Sequence, residues 1–165
     1  MAAMQWQSHC EADTERLGEV VGRLLARGSV LGLVGPLGSG KTAFVRGVAR
    51  ACGVEEGLVH SPTFVTATQY PGAVPVAHLD LYRHEGESLD RDWLAELLDS
   101  GEGVTLIEWF ERLGGAPLSD GLLVRIEYAG RDAGSGSDDE RVLSIEEMGP
   151  RGTSVLDQLR GQVGE

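Results

Sequence analysis

The residues best equipped for chemistry gather between Val30 and Arg46, in the run V-L-G-L-V-G-P-L-G-S-G-K-T-A-F-V-R. The run reads as a short apolar strand, a glycine-rich turn and the opening of a helix. Within it Gly35, Gly40, Lys41 and Thr42 fall at the G-x4-G-K-T spacing of a phosphate-binding P-loop. Glycines at 35, 38 and 40 permit turn conformations closed to residues with a Cβ, so successive N–H groups can converge on an anion. The helix opening near Lys41 adds its unpaired first-turn N–H groups and its positive dipole end at the same spot. Lys41 is expected across the β- and γ-phosphates of a nucleotide, with the Thr42 hydroxyl at a magnesium position. Lys41 is also the single lysine among the 14 lysines and arginines of the chain. Arginine's broad planar fork would not seat the same way in a tight ring of amides, so the one lysine stands where an ammonium is needed.

Two other segments end in an acid. Val104 to Glu108 is a continuous apolar run closed by a carboxylate, the form of a core strand that sets an acid beside the magnesium at Thr42. His78-Leu-Asp80-Leu-Tyr-Arg83 competes for that role through Asp80. The more continuous apolar character of its strand favours Glu108 for the metal, with either acid available to orient an attacking water. For each, a cap or surface ion pair at a strand end is the alternative. Arg83 can counter phosphate charge or pair with a local acid. Trp109 can pack over the site or be an ordinary half-buried tryptophan. His78 and His84 have no ligand partners at metal-site spacing and read as structural.

The elements that must position these groups follow from periodicity. Leu17, Val20, Val21, Leu24 and Leu25 mark a helix from Asp13 to near Gly28. Its opening, Glu11 to Thr14, fits two roles: a helix cap, or a return toward the nucleotide's base or sugar. After the loop, Phe44, Val45, Val48 and Ala49 continue one helix to a Cys52-Gly53 stop. Phe64 to Tyr70 and Val74 to Tyr82 read as a hairpin turned at Pro71-Gly72. Ser88 is expected to cap a helix whose apolar side carries Leu89, Trp93, Leu94, Leu97 and Leu98. Leu122 to Tyr128 and Arg141 to Glu147 alternate as two strands joined by a small, polar loop over 131–139, and a helix closes the chain from Thr153 to Arg160. Met4 to Ser8 reads as an edge strand. The expected architecture is α/β: a P-loop NTPase fold with a mixed, mostly parallel central sheet flanked by helices and an antiparallel hairpin extension, in one domain over 1–165.

Composition narrows the function. A net charge of -12 with no basic cluster argues against unaided binding to DNA or RNA. Cys10 and Cys52 have no Cys-x-x-Cys spacing, so zinc is not expected and reduced thiols are. The first sixteen residues hold no cationic start followed by an apolar core, and no apolar run approaches membrane-spanning length, so a cytoplasmic protein is expected. The chain has no asparagine and one lysine, so it cannot carry the Asn-Lys-x-Asp motif by which guanine-specific GTPases read their base. Adenine nucleotide is the better expectation, as ATP or ADP with Mg2+. Three functions remain: ATP hydrolysis, transfer of the γ-phosphoryl group to a small molecule, or a non-enzymatic switch in which nucleotide reshapes a docking face.

Five segments stand in the order found in one family: Thr14-x-x-Leu17-Gly18, Gly35 to Thr42, Ser61-Pro-Thr-Phe64, His78 to Arg83, and Leu106-Ile-Glu-Trp109. The chain therefore resembles the TsaE (YjeE) family, small bacterial P-loop ATPases of tRNA threonylcarbamoyladenosine (t6A) synthesis. The likeness spans the segment from Glu11 to about residue 113. It implies ATP on Leu37 to Thr42, magnesium on Thr42 and Glu108, a nucleotide contact near Glu11 and Thr14, and catalytic roles for Lys41, Asp80 and Glu108. It further implies switch-like behaviour at Ser61 to Phe64 and Asp80 to Arg83. In such proteins the ATPase is slow alone and acts on a TsaD and TsaB pair that modifies adenosine 37 of tRNAs reading ANN codons, so tRNA is met only indirectly. Two departures stand out: Pro36 where the family usually has aspartate, and Phe110 where proline is common.

Overall fold

A computed structural model describes residues 3–61, 67–84, 90–114, 120–130 and 139–163. The elements run β1 (Ala3–Ser8), α1 (Glu11–Leu24), β2 (Val30–Val34), α2 (Lys41–Ala51), β3 (Ala67–Tyr70), β4 (Val76–Asp80), α3 (Arg91–Asp99), β5 (Val104–Glu108), β6 (Gly121–Tyr128), β7 (Arg141–Met148) and α4 (Gly149–Val163). A 3-10 turn at Phe110–Leu113 follows β5. The strands form one sheet in the order β1-β7-β6-β2-β5-β4-β3. Its inner strands β6, β2, β5 and β4 are parallel. The pairings β6 with β7, β7 with β1, and β4 with β3 are antiparallel. This is the mixed sheet, parallel at its centre with a hairpin extension, that the sequence implied.

β2 and β5 are buried at every position, as strands covered on both faces must be. Their period of two sorts the side chains into two layers. Leu31, Leu33 and Leu106 join Leu17, Val21, Phe44 and Val48 of α1 and α2 in one layer. Val30 and Ile107 face Leu79, Leu94 and Leu113 in the other. α1 and α2 cross closely because glycine stands at both crossing points. A Cβ on Gly18 would lie 2.3 Å from the Phe44 carbonyl oxygen, and one on Gly47 would lie 2.0 Å from that of Glu15. Outside this seam Arg46 and Arg50 pair with Glu15 at 2.5 and 3.1 Å. The seam fixes α2 against α1, and so fixes the loop that α2 continues.

Several boundaries differ from the periodicity. α1 opens at Glu11 rather than Asp13, with the Asp13 carboxylate accepting from the His9 amide at 3.0 Å. β4 stops at Asp80 rather than Tyr82, because the Asp80 carboxylate takes the Tyr82 amide at 2.9 Å and turns the chain out of the sheet. α3 is capped by Asp90, which accepts from the Asp92 and Trp93 amides at 3.0 and 3.1 Å; Ser88 and Leu89 lie outside the described residues. Leu94 is buried on α3 and Leu97 and Leu98 partly so, whereas Trp93 is exposed. α4 opens at Gly149 rather than Thr153, where the Thr153 hydroxyl donates back to the Gly149 carbonyl at 3.1 Å. The expected segments Pro62 to Phe64 and most of the 131–139 loop lie outside the described residues. Phe110 explains its own departure: its ring packs on Gly32 of β2, where a Cβ would come within 2.7 Å of it. Among the described residues no helix is long and apolar enough to cross a membrane.

Helix propensity and packing give opposite signs for Gly47→Ala. Propensity alone gains up to about 1 kcal/mol, but the added methyl group meets backbone that cannot yield. Overpacking of this kind costs about 1–3 kcal/mol, so the urea midpoint should fall. A midpoint at or above wild type would show that the seam opens freely.

Candidate functional site

β2 delivers the chain at Val34 and α2 carries it away from Lys41, so the loop between them turns at the carboxyl edge of the parallel strands, where α/β sheets bind ligands. The return requires left-handed backbone at Gly38 (φ 74°) and Gly40 (φ 105°), conformations that a Cβ disfavours. Gly35 is needed for another reason: a Cβ there would lie 2.3 Å from the Ile126 carbonyl oxygen of β6. The loop borders a cleft of about 430 Å³. Leu37, Gly38, Ser39, Gly40, Lys41 and Thr42 line it from the loop side, and Glu11, Asp80 and Glu108 from elsewhere.

Lys41 is only 4% exposed. Its Nζ donates to the carbonyls of Gly35 and Pro36 at 2.7 and 3.0 Å and stands 4.0 Å from the centre of the Trp109 ring. Burial pushes the ammonium below its ordinary pKa, and the charges of Glu108, Glu111 and Asp80 oppose that shift. Trp109 reaches this place through a left-handed backbone, φ 57°, the one positive φ outside glycine among the described residues. Tyr82 lies 5.0 Å from it, ring to ring, and the Arg112 guanidinium sits 5.1 and 5.2 Å from the two ring centres. Arg112 also donates to the Tyr82 carbonyl. Of the two roles open to Trp109, the structure shows packing over the lysine.

Asp80 and Glu108 are register partners on adjacent parallel strands, yet their surroundings differ. Glu108 is buried, and one oxygen, Oε1, accepts from the Thr42 hydroxyl at 2.9 Å and meets His78 Nε2 at 2.8 Å. Asp80 is more open, accepting from the Ser61 hydroxyl at 3.1 Å and the Tyr82 amide at 2.9 Å. Glu108 is therefore the acid wired to Thr42. His78, read as structural, is fully buried behind Glu108. With Glu108 ionised, His78 Nε2 carries the hydrogen, since a carboxylate only accepts. A search at metal-ligand spacing misses a histidine whose partner is a carboxylate. The available signal was strand alternation, which sets His78 on the same face of β4 as Asp80.

Glu11 lies on the rim of the cleft, paired with Arg46 at 2.6 Å. Thr14 stands one layer behind. Its hydroxyl meets that of Ser8 at 2.8 Å, and the Ser8 hydroxyl donates to the Cys10 carbonyl, so Thr14 supplies the hydrogen between them. Its methyl group lies 3.6 Å from the point where Gly40 would carry a Cβ. Thr14 backs the loop and does not line the cleft. Arg83 and His84 do line it.

An amide cradle at the head of a central parallel strand, with the neighbouring strand's carboxylate on the cradle's threonine, separates one class from other covered α/β sheets. The class is that of P-loop, ATPase-like proteins. Residues 8–135 match the family model described as threonylcarbamoyl adenosine biosynthesis protein TsaE. The chain belongs to the TsaE family. The "tRNA threonylcarbamoyladenosine biosynthesis protein TsaE" of Bacillus subtilis is 32% identical over 96% of this chain and 95% of its own. The protein of the same name from Treponema pallidum is 43% identical over 67% of this chain and 81% of its own. The crystal structure of Bacillus subtilis YdiB matches the fold with a TM-score of 0.77 at 26% identity, covering 99% of this chain and 97% of that one.

Replacing His78 by Ala removes a packed ring and leaves the buried Glu108 carboxylate without that donor. Cavity and desolvation terms together predict a loss of about 2–4 kcal/mol, read as a lower urea midpoint. His78→Gln, which keeps a donor, should recover part of it. An unchanged midpoint in His78→Ala would show that the pair does not hold the strand ends together.

Proposed function

We propose that the chain binds ATP with magnesium and hydrolyses it as the nucleotide-driven component of tRNA t6A synthesis, its ATP cycle acting on a TsaD and TsaB transferase pair. The observation that carries this reading is the 2.9 Å bond from Thr42 to Glu108 directly behind the glycine loop. A hydroxyl and a carboxylate are the hard oxygen donors that magnesium takes, with water and phosphate oxygens completing its shell. A cleft of about 430 Å³ lies within the range of small-ligand sites. Thr42 and Glu108 would hold the ion. Leu37 to Thr42 would hold the phosphates through main-chain N–H groups, and Lys41 would exchange its loop carbonyls for β- and γ-phosphate oxygens. Bound magnesium would neutralise the phosphate charge that builds during transfer. Asp80, more open than Glu108, is our choice to orient the attacking water, and the segment opening at Glu11, on the rim of the cleft with Thr14 supporting the loop behind it, is our choice for the base or sugar side.

The relatives described above carry t6A biosynthesis in their names, and family membership supports the same pathway here. The net charge of -12 fits a division of labour in which the partners hold the tRNA. A cytoplasmic location follows from that role.

Calorimetry of the purified chain should show ADP and ATP binding with magnesium, and Lys41→Ala should weaken both at least tenfold, the worth of one charge-assisted hydrogen bond or more. Glu108→Ala should keep much of the nucleotide affinity and lose its magnesium dependence. ATP turnover should be slow alone and rise with a co-purified TsaD and TsaB pair. Wild-type affinity and turnover in Lys41→Ala would end this reading.

A further inference from the structure

Each carbonyl from Gly35 to Gly40 accepts a hydrogen bond. Lys41 takes those of Gly35 and Pro36, and the Phe44 amide takes that of Gly40 at 3.0 Å. The remaining three go to the hairpin of β6 and β7. The Tyr128 hydroxyl donates to the Leu37 carbonyl at 3.0 Å, and Arg141 donates from Nη2 to Gly38 at 3.4 Å and from Nε to Ser39 at 3.2 Å. Tyr128 and Arg141 are register partners where the two strands end and begin. The guanidinium lies over the phenol ring, 4.1 Å from its centre. Neither side chain borders the cleft, whereas the loop residues they hold do.

In a trans peptide the C=O and the following N–H point in opposite directions. Carbonyls of Leu37 and Ser39 drawn out toward the hairpin therefore turn the amides of Gly38 and Gly40 the other way, toward the cleft. The Ser39 amide is held within the loop by the Pro36 carbonyl at 3.1 Å. We propose that Tyr128 and Arg141 are positioning residues of the phosphate-binding loop: a clamp on three consecutive carbonyls that preorganises the amide cradle from outside. The guanidinium also brings positive charge behind an anion site in a chain of net charge -12. Arg141 lies beyond residues 8–135, the part matched by the family model. The inference rests on the nucleotide reading above, since a cradle held ready lowers the ordering cost of whatever anion it takes.

The test combines ADP and ATP affinity of the full chain with magnesium, by calorimetry, with hydrogen exchange of the nucleotide-free protein. Tyr128→Phe keeps the ring beneath the guanidinium and removes the hydroxyl that donates to Leu37. It should weaken both nucleotides about threefold and speed exchange in the loop. Arg141→Ala should weaken both about tenfold. Arg141→Lys, which keeps the charge without the two-pronged grip, should restore less than half of that loss on a logarithmic scale. Arg125→Ala, which removes the same charge elsewhere on β6, should bind as wild type. A purely structural role would lower the melting temperature and leave loop exchange and affinity unmoved. Unchanged affinity and loop exchange in Tyr128→Phe and Arg141→Ala, with wild type binding normally, would overturn the clamp and spare the nucleotide reading. Full recovery in Arg141→Lys would replace positioning by charge alone, and a wild-type chain that binds neither nucleotide would overturn both.

Discussion

Backbone N–H groups aimed at one point repel one another, and a loop that presents them needs every carbonyl it displaces to be satisfied elsewhere. That constraint organises the molecule. The carbonyls from Gly35 to Gly40 are taken up by Lys41, by the first turn of α2 and by the hairpin of β6 and β7. Each donor belongs to an element fixed by its own packing. α2 is fixed because glycines at 18 and 47 let it lie against α1, and β2 is fixed because both its faces are buried. A glycine-rich loop acquires a defined shape from the packed elements that hold its carbonyls.

The same economy explains why two acids at one register diverge. Asp80 and Glu108 end adjacent strands, but β5 lies nearer the middle of the sheet than β4. Glu108 is thereby enclosed, and a buried carboxylate is stable only with donors to hand. Thr42 and His78 supply them on a single oxygen. Asp80, at the more open position, takes its donors from the chain that leaves β4 and from Ser61. Position in the sheet, more than residue type, divides their surroundings.

Legibility in the sequence followed from whether one residue carried both the chemistry and the local fold. The loop was legible because its glycines, lysine and threonine set the backbone and face the cleft at once. β5 was legible because a continuous apolar run ending in an acid has few other readings. The cap of α3 was not, since serine and aspartate both cap helices and the residue that takes the Asp92 and Trp93 amides is Asp90, two positions beyond the expected Ser88. Trp109 gave no sign of its left-handed backbone, because aromatic residues rarely adopt one and nothing local requires it. Tyr128 and Arg141 read only as strand ends, since the carbonyls they hold lie 91 to 103 residues earlier in the chain. His78 was legible as structural and illegible as a partner of Glu108, because Glu108 comes from the adjacent strand.

Lys41 ties these strands of argument together. Its ammonium is held by two carbonyls and an aromatic face, so an incoming anion must offer more than those contacts before the lysine turns to it. A carbonyl bond to a charged donor is worth about 1.5–3 kcal/mol, and the ring about 2 or more when desolvated. A single weakly charged oxygen does not exceed that sum. A polyphosphate does, because its charged oxygens bind the ammonium more strongly than neutral carbonyls and engage the loop amides and the first turn of α2 in the same step. On the nucleotide reading proposed above, the self-satisfied lysine would act as a threshold that favours dense negative charge. The strained Trp109 backbone, whose cost is of order 1–3 kcal/mol, is the structural means by which the ring is kept over it.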